Sequence, residues 1–245
     1  NLTSEIGKSG LEQVYDNFLR GEDGKKQFEV DSLGQIQRVL ANLDPKPGDN
    51  LHLSLDYSLQ EKASQILKEE INKTEARKGV VIAMNPQNGL ILSMVNIPSY
   101  DNNIFSQKER NKKYQQLLKD KDRPMLNRAI SGVYPSGSVI KPVVASAGLE
   151  EGVISPNTTI YAPAEIRIGE WVFPDWKEHG YVDVRRAIAV SSNVFFYAVG
   201  GGYDKISGLG LKKLKKYFEK FGFGQPAGID LPSEASGLIP DENWK

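Results

Sequence analysis

Between Leu11 and Leu19 the apolar residues Leu11, Val14, Tyr15, Phe18 and Leu19 recur at spacings of 3, 1, 3 and 1. That is one face of a helix, and Gly21 and Gly24 follow to stop it. Gln27 to Val39 mixes polar and apolar residues without a clear period, and Asp44-Pro45-Lys46-Pro47-Gly48-Asp49 is a turn-rich connection that marks a boundary. Beyond it, Leu51-His52-Leu53-Ser54-Leu55 alternates like a half-buried strand. Ser58-Leu59-Gln60-Glu61 reads as a capping box that opens a helix with Leu59, Ala63, Ile66, Leu67 and Ile71 on one side. Val80 to Met84 and Leu90 to Val95 flank the turn Asn85-Pro86-Gln87-Asn88-Gly89, which predicts a hairpin of apolar strands suited to the centre of a sheet. Asn102 to Arg123 is polar and charged, as in a solvated helix or loop.

The second half reads as helix from Lys141 to Glu150, irregular to Trp176, then helix again through Val184, Ala187 and Ile188. A last helix, Leu211 to Phe221, sets Leu211, Leu214, Phe218 and Phe221 on one face and closes at Gly222.

The chain has 245 residues, room for one large domain or for one domain plus part of another. Its 31 Lys and Arg balance 31 Asp and Glu, so neither a nucleic-acid polyanion nor an anionic membrane is favoured as a partner. There is no cysteine, which removes disulfides and thiolate metal sites. The longest apolar stretches fall far short of the roughly 20 residues that span a bilayer. Starting at Asn1-Leu2-Thr3 without Met and stopping at Trp244-Lys245, both ends read as cut, and any anchor or export signal is expected upstream.

Tyr134-Pro135-Ser136-Gly137-Ser138-Val139-Ile140-Lys141-Pro142 contains a Ser-x-x-Lys, a pattern with no specificity of its own in a chain this rich in both residues. Its context supplies the meaning. A Pro-Ser-Gly reversal leads into an apolar run, which puts Ser138 at a helix start, and Pro142 is tolerated only near a first turn. At i, i+3 the Ser138 hydroxyl and the Lys141 ammonium share a face and can touch. A serine hydroxyl becomes a nucleophile when a neighbouring base takes its proton, and a lysine can be that base if burial lowers its pKa. Helix-start N–H groups favour the oxyanion of acyl transfer. The blander alternative is a serine cap followed by a surface lysine.

Ser191-Ser192-Asn193 lies between two apolar helical runs, so its side chains are held towards an interior cleft. There Ser191 can relay a proton and Asn193 can hold a substrate amide, the alternative being a pair of helix caps. Ser155-Pro156-Asn157 reads as a turn. Asp175 and His179, at i, i+4, are more often structural than ligands where no cysteine and no other histidine but His52 exists. Lys212, Lys213, Lys215 and Lys216 form a charged helix face of the ordinary solvated kind.

With these motifs the sequence is similar to class B penicillin-binding proteins, most of all to their elongation (penicillin-binding protein 2) type. The resemblance runs along nearly the whole chain. It covers Gly10-Leu11-Glu12-Gln13-Val14-Tyr15 to Leu19-Arg20-Gly21, the hairpin from Gly79 to Asp101, and Asn127-Arg128-Ala129-Ile130-Ser131-Gly132 leading to Ser138. Phe173-Pro174-Asp175-Trp176 through Gly180 belongs to it as well. Ser136 departs from a proline common at its place. Ser-x-x-Lys, Ser-x-Asn and Lys-Ser/Thr-Gly together mark penicillin-binding proteins and class A β-lactamases. The third motif is missing where the resemblance wants it, since Lys8-Ser9-Gly10 stands far upstream of Ser138.

The resemblance implies an α+β, β-lactamase/transpeptidase-like fold with a central antiparallel sheet flanked by helices and a short pedestal remnant. It divides the chain into residues 1–48, the C-terminal part of a pedestal or dimerisation-type domain, and 49–245, the N-terminal part of a transpeptidase domain that lacks the Lys-Thr/Ser-Gly strand. Implied too are catalytic Ser138, Lys141 and Ser191, substrate-binding Asn193, and no metal or cofactor. The reaction would be D,D-transpeptidation of peptidoglycan stem peptides ending in D-Ala-D-Ala, with β-lactams acylating Ser138 and a SEDS-family glycan polymerase as partner. The setting would be the extracytoplasmic face of the bacterial membrane, through an N-terminal anchor outside this chain. Without the third motif the chain alone is expected to be an impaired catalyst. A β-lactamase or β-lactam sensor, and a non-catalytic module of a cell-wall complex, stay open as rivals.

Overall fold

The structure, a computed structural model, describes residues 6–106 and 109–244; residues 1–5, with the Asn1-Leu2-Thr3 start, and Gln107, Lys108 and Lys245 lie outside the described residues. The chain divides into two units, one running to Gly132 and including Gly228–Glu234, the other comprising Val133–Ala227 and the stretch from Ala235 onward.

The first unit begins with two short helices, α1 (Gly10–Val14) and α2 (Asp16–Leu19), where one was expected. The break is Tyr15, whose φ of −104° and ψ of 17° leave helical geometry. The stretch without a legible period forms an antiparallel hairpin, β1 (Lys25–Val30) and β2 (Ile36–Leu43). Register shifts at Gln27/Phe28 and Glu29/Val30 reset the alternation twice, and every residue of both strands is exposed, so no single face collects the apolar side chains.

Leu51 to Leu55 is not a strand. It is held by the Asp56 N–H on the Leu92 carbonyl (2.9 Å) and the Ser54 hydroxyl on that of Ile91 (2.6 Å), with no ladder. The helix that follows, α3 (Tyr57–Lys73), is capped by Asp56 rather than Ser58, the Asp56 carboxylate accepting from the Leu59 N–H at 2.9 Å. A carboxylate at that point also meets the positive end of the helix dipole, which favours it over a hydroxyl one residue inside. Gln60 on α3 takes up both backbone groups of Met94: its amide donates to the Met94 carbonyl and its oxygen accepts from the Met94 N–H, each at 2.8 Å.

The predicted apolar hairpin is present as β3 (Gly79–Met84) and β4 (Ile91–Ile97). After it come α4 (Arg110–Lys119), solvated as expected, and the short α5 (Arg128–Ser131).

In the second unit a 3₁₀ turn, Gly137–Ile140, runs straight into α6 (Lys141–Glu150). The region expected to be irregular carries four short strands, β5 (Ile160–Ala162), β6 (Glu165–Ile168), β7 (Trp171–Pro174) and β8 (Gly180–Val182). Then follow α7 (Val184–Ala189), α8 (Asn193–Gly201) and α9 (Gly210–Lys220). The core forms around α6 and α8, with Phe195, Val194 and Val199 of α8 wholly inaccessible. Burying each such side chain stabilises the fold by about 1.5–3 kcal/mol.

Helices beside antiparallel strands make this the α+β class expected. Among the described residues the strands pair in twos, β1–β2, β3–β4, β5–β8 and β6–β7, rather than in one wide sheet.

Candidate active site

Gly137, with φ at +56°, makes the reversal that the Pro-Ser-Gly sequence suggested and delivers Ser138 onto the 3₁₀ turn. Ser138 is exposed there, whereas Lys141, three residues on and first in α6, is only 8% exposed. Ser191 stands between α7 and α8, and Asn193 opens α8.

These four side chains meet. The Lys141 ammonium donates to the Ser191 carbonyl (2.7 Å), the Ser191 hydroxyl (3.0 Å) and Asn193 Oδ1 (2.7 Å). Ser191 Oγ in turn donates to Ser138 Oγ at 2.9 Å. Direct contact between Ser138 and Lys141 was expected; they are instead joined through Ser191, because the three ammonium hydrogens are already spent on Ser191 and Asn193.

Ser191 accepts Lys141 with two of its oxygens by adopting φ of +53°, a left-handed backbone that a non-glycine residue reaches at a cost of about 1–2 kcal/mol. The strain sits at the residue that links the other two. Burial lowers the Lys141 pKa from its ordinary value, since it penalises the ammonium, and the negative charge of Asp175 opposes part of that fall. A lysine so placed loses its proton more readily than a solvated one. With the amine neutral, its lone pair can accept from the Ser191 hydroxyl 3.0 Å away, which gives a proton leaving Ser138 a two-step path to it.

Ser192, which the sequence offered only as a possible cap, is one: its fully buried hydroxyl accepts from the Phe195 N–H at 3.3 Å. The same hydroxyl donates to Asp175 Oδ2 at 2.8 Å. Asp175 also accepts from the Val194 N–H (3.0 Å) and the Trp176 N–H (2.9 Å). Burial would raise the Asp175 pKa, but these hydrogen bonds prevail and hold it below the usual value. Asp175 and His179 do come together, Nε2 to Oδ1 at 3.5 Å with side chains 0% and 1% exposed, and no third His, Cys, Asp or Glu joins them among the described residues. Ser155-Pro156-Asn157 is a turn, closed by the Thr158 N–H on the Ser155 carbonyl at 3.1 Å.

Comparison with known proteins follows the same lines. A family model described as the penicillin binding protein transpeptidase domain matches residues 79–245, and one for the penicillin-binding protein dimerisation domain matches residues 1–53. The peptidoglycan D,D-transpeptidase MrdA of Haemophilus influenzae is 36% identical over 252 residues, an alignment that covers 99% of this chain and 36% of that protein. A solved complex between penicillin-binding protein 2 (PBP2) and MreC from Helicobacter pylori superposes with a TM-score of 0.80 at 35% identity, covering 98% of this chain and 43% of that one. A structure from work on the coordination of polymerization and crosslinking by a peptidoglycan synthase complex gives 0.77 at 31% identity, covering 96% and 42%. The chain thus spans little more than a third of the length of the curated relatives it matches.

Proposed function

Because the chain belongs to the penicillin-binding protein transpeptidase family, we propose that Ser138 is the nucleophile of a serine D,D-transpeptidase that cross-links peptidoglycan stem peptides. Ser138 Oγ attacks the carbonyl carbon between the two terminal D-alanines, and its proton passes through Ser191 to neutral Lys141. The tetrahedral intermediate expels the last D-alanine, whose amine takes that proton back, and an ester on Ser138 remains. An amine from a neighbouring stem attacks the ester carbonyl and passes a proton along the same path to Lys141; the C–Oγ bond breaks, Ser138 Oγ takes the proton back, and the new peptide bond departs with the cross-linked product. Asn193 holds a substrate amide beside Lys141. A β-lactam, which mimics the dipeptide, acylates the same oxygen as its ring C–N bond opens, and leaves an ester on Ser138 that hydrolyses slowly.

The observation that carries this reading is the unbroken chain from Ser138 Oγ to Ser191 Oγ (2.9 Å) to the amine of buried Lys141 (3.0 Å). The likeness to MrdA supports the substrate class. Residues 1–48 are the end of a pedestal and 49–245 the first part of the transpeptidase domain, a division supported by the dimerisation-domain match at the N-terminal end. Within this chain no Lys-Ser/Thr-Gly follows Asn193. The likeness to the synthase-complex structure supports a peptidoglycan-polymerising partner, which we take to be a SEDS-family glycan polymerase working with this chain at the extracytoplasmic face of the membrane. No helix of the described residues is long and apolar enough to cross a membrane.

The test is covalent labelling of the full-length protein with a tagged penicillin, followed by peptide mapping. The adduct is expected on Ser138. An adduct on Ser191, or on no serine, overturns the assignment.

A further inference from the structure

We infer that Asp175 is a positioning residue for this reaction: its buried carboxylate clamps the Ser191–Asn193 turn and supplies a negative charge that acts on Lys141. The inference rests on the reading of Ser138 as nucleophile.

The geometry is that of a hub. Asp175 follows β7, yet Oδ2 reaches past the turn to the Ser192 hydroxyl at 2.8 Å and the Val194 N–H at 3.0 Å. Oδ1 takes the Trp176 N–H at 2.9 Å, and His179 Nε2 stands 3.5 Å from it with no hydrogen-bond partner of its own. Ser192 and Val194 are the neighbours on either side of Asn193, and Ser192 adjoins Ser191. One carboxylate thus grips the turn at two points while Ser191 and Asn193 face Lys141. Trp176, whose N–H Asp175 holds, adds a third tie: its indole N–H donates to the Val190 carbonyl, next to Ser191, at 3.0 Å.

Charge makes the arrangement more than a scaffold. Lys141 is surrounded by the neutral groups of Ser138, Ser191 and Asn193 and by the Phe196 ring, 5.7 Å from the ammonium. The negative charge that acts on it is that of Asp175, against which His179 also stands. The carboxylate steadies the ammonium and limits how far burial lowers its pKa.

Two effects of opposite sign follow, and acylation kinetics over a pH range separates them. In the full-length protein Asp175→Asn is expected to lower the plateau rate of β-lactam acylation at least about tenfold, because the turn loosens. It is also expected to move the midpoint of the rising limb to lower pH, because Lys141 loses its counter-charge. Ser192→Ala, which leaves the carboxylate in place, should lower the plateau and leave the midpoint where it is. If Asp175→Asn fails to fold, the Ser192→Ala profile decides alone, and a wild-type plateau there overturns the clamp. An unmoved midpoint in folded Asp175→Asn overturns the electrostatic part, and a wild-type plateau overturns the positioning. Adduct mapping on the wild type keeps the two readings apart: absence of a Ser138 adduct sinks the nucleophile assignment, whereas a Ser138 adduct with unchanged variant profiles sinks only this inference.

Discussion

Ser191 holds its hydroxyl between Ser138 and Lys141 only by keeping a left-handed backbone, at φ of +53°. Backbone and hydroxyl can be separated by substitution. Ser191→Gly relieves the strain and Ser191→Ala retains it, while both remove the relay oxygen. Both variants are therefore expected to lose acylation by about 10²-fold or more. The glycine variant should be the more stable of the two by up to about 1–2 kcal/mol in urea unfolding. Equal acylation by either variant and the wild type would remove Ser191 from the proton path. Lys141→Ala and Lys141→Arg should fail alike, since a guanidinium stays protonated and cannot act as base. The rate in the wild type should rise with pH through a midpoint below the ordinary lysine value of 10.5, because the amine must be neutral to act. Ser138 with Lys141, and Ser191 with Asn193, could be singled out because the spacing within each pair is local; that the two pairs meet across about fifty residues is shown by the fold. The role of Asp175 could not be singled out. Its partners lie 17 and 19 positions on, and no periodicity records a bond made across a strand end and a helix start.

At the scale of elements, α6 carries the proposed base at its first residue and is fastened just past its last. Glu151 accepts from Lys216 at 3.0 Å and from the Tyr217 hydroxyl at 3.0 Å, and pairs with Lys213 at 3.0 Å. The face of α9 expected to be merely solvated is thus ion-paired. The hydrogen bonds from Lys216, Lys213 and Tyr217 lower the Glu151 pKa from 4.5 to about 2. A depressed carboxylate stabilises the fold above its unfolded value and stops doing so as pH falls through the folded one, so this contribution fades between about 4.5 and about 2. Melting temperature followed down that range should fall less steeply in Glu151→Gln than in the wild type. The middle of α6 is equally constrained. A methyl group at Gly148 would stand 2.7 Å from Val199 Cγ1, on a side chain that is fully buried and stiff. Gly148→Ala is therefore expected to destabilise by about 1–3 kcal/mol in denaturant unfolding, although alanine favours helix by about 1 kcal/mol. Helix α6 was readable to its bounds from its apolar run. The ribbons β5 to β8 were not, being three or four residues long, too short for a period of two to rise above composition.

Over the whole molecule, burial is uneven. The hydrophobic cluster lies within the second unit, while β1 and β2 of the first are exposed along their full length. Hydrogen–deuterium exchange of the chain should show α8 as the slowest element and the β1–β2 hairpin as the fastest of the paired strands; the reverse order would contradict this distribution of packing. The prolines and glycine of residues 44–49 suggested a boundary there, whereas the compact units divide after Gly132. The return of residues 228–234 to the first unit was not visible in the sequence, since no local pattern announces it. That return fastens Tyr15 to Asp230 and lets the Ser131 hydroxyl donate to the Ser233 carbonyl at 2.7 Å. A polypeptide is made from one end. When Gly132 has just been synthesised, the partners of Tyr15 and Ser131 are still about a hundred codons away, roughly 5 to 20 s at translation speeds of about 5–20 residues per second. The first unit therefore waits, unfinished, for a segment made after most of the second, and protection of Tyr15 and Ser131 in nascent chains should appear only once residues 228–234 have emerged.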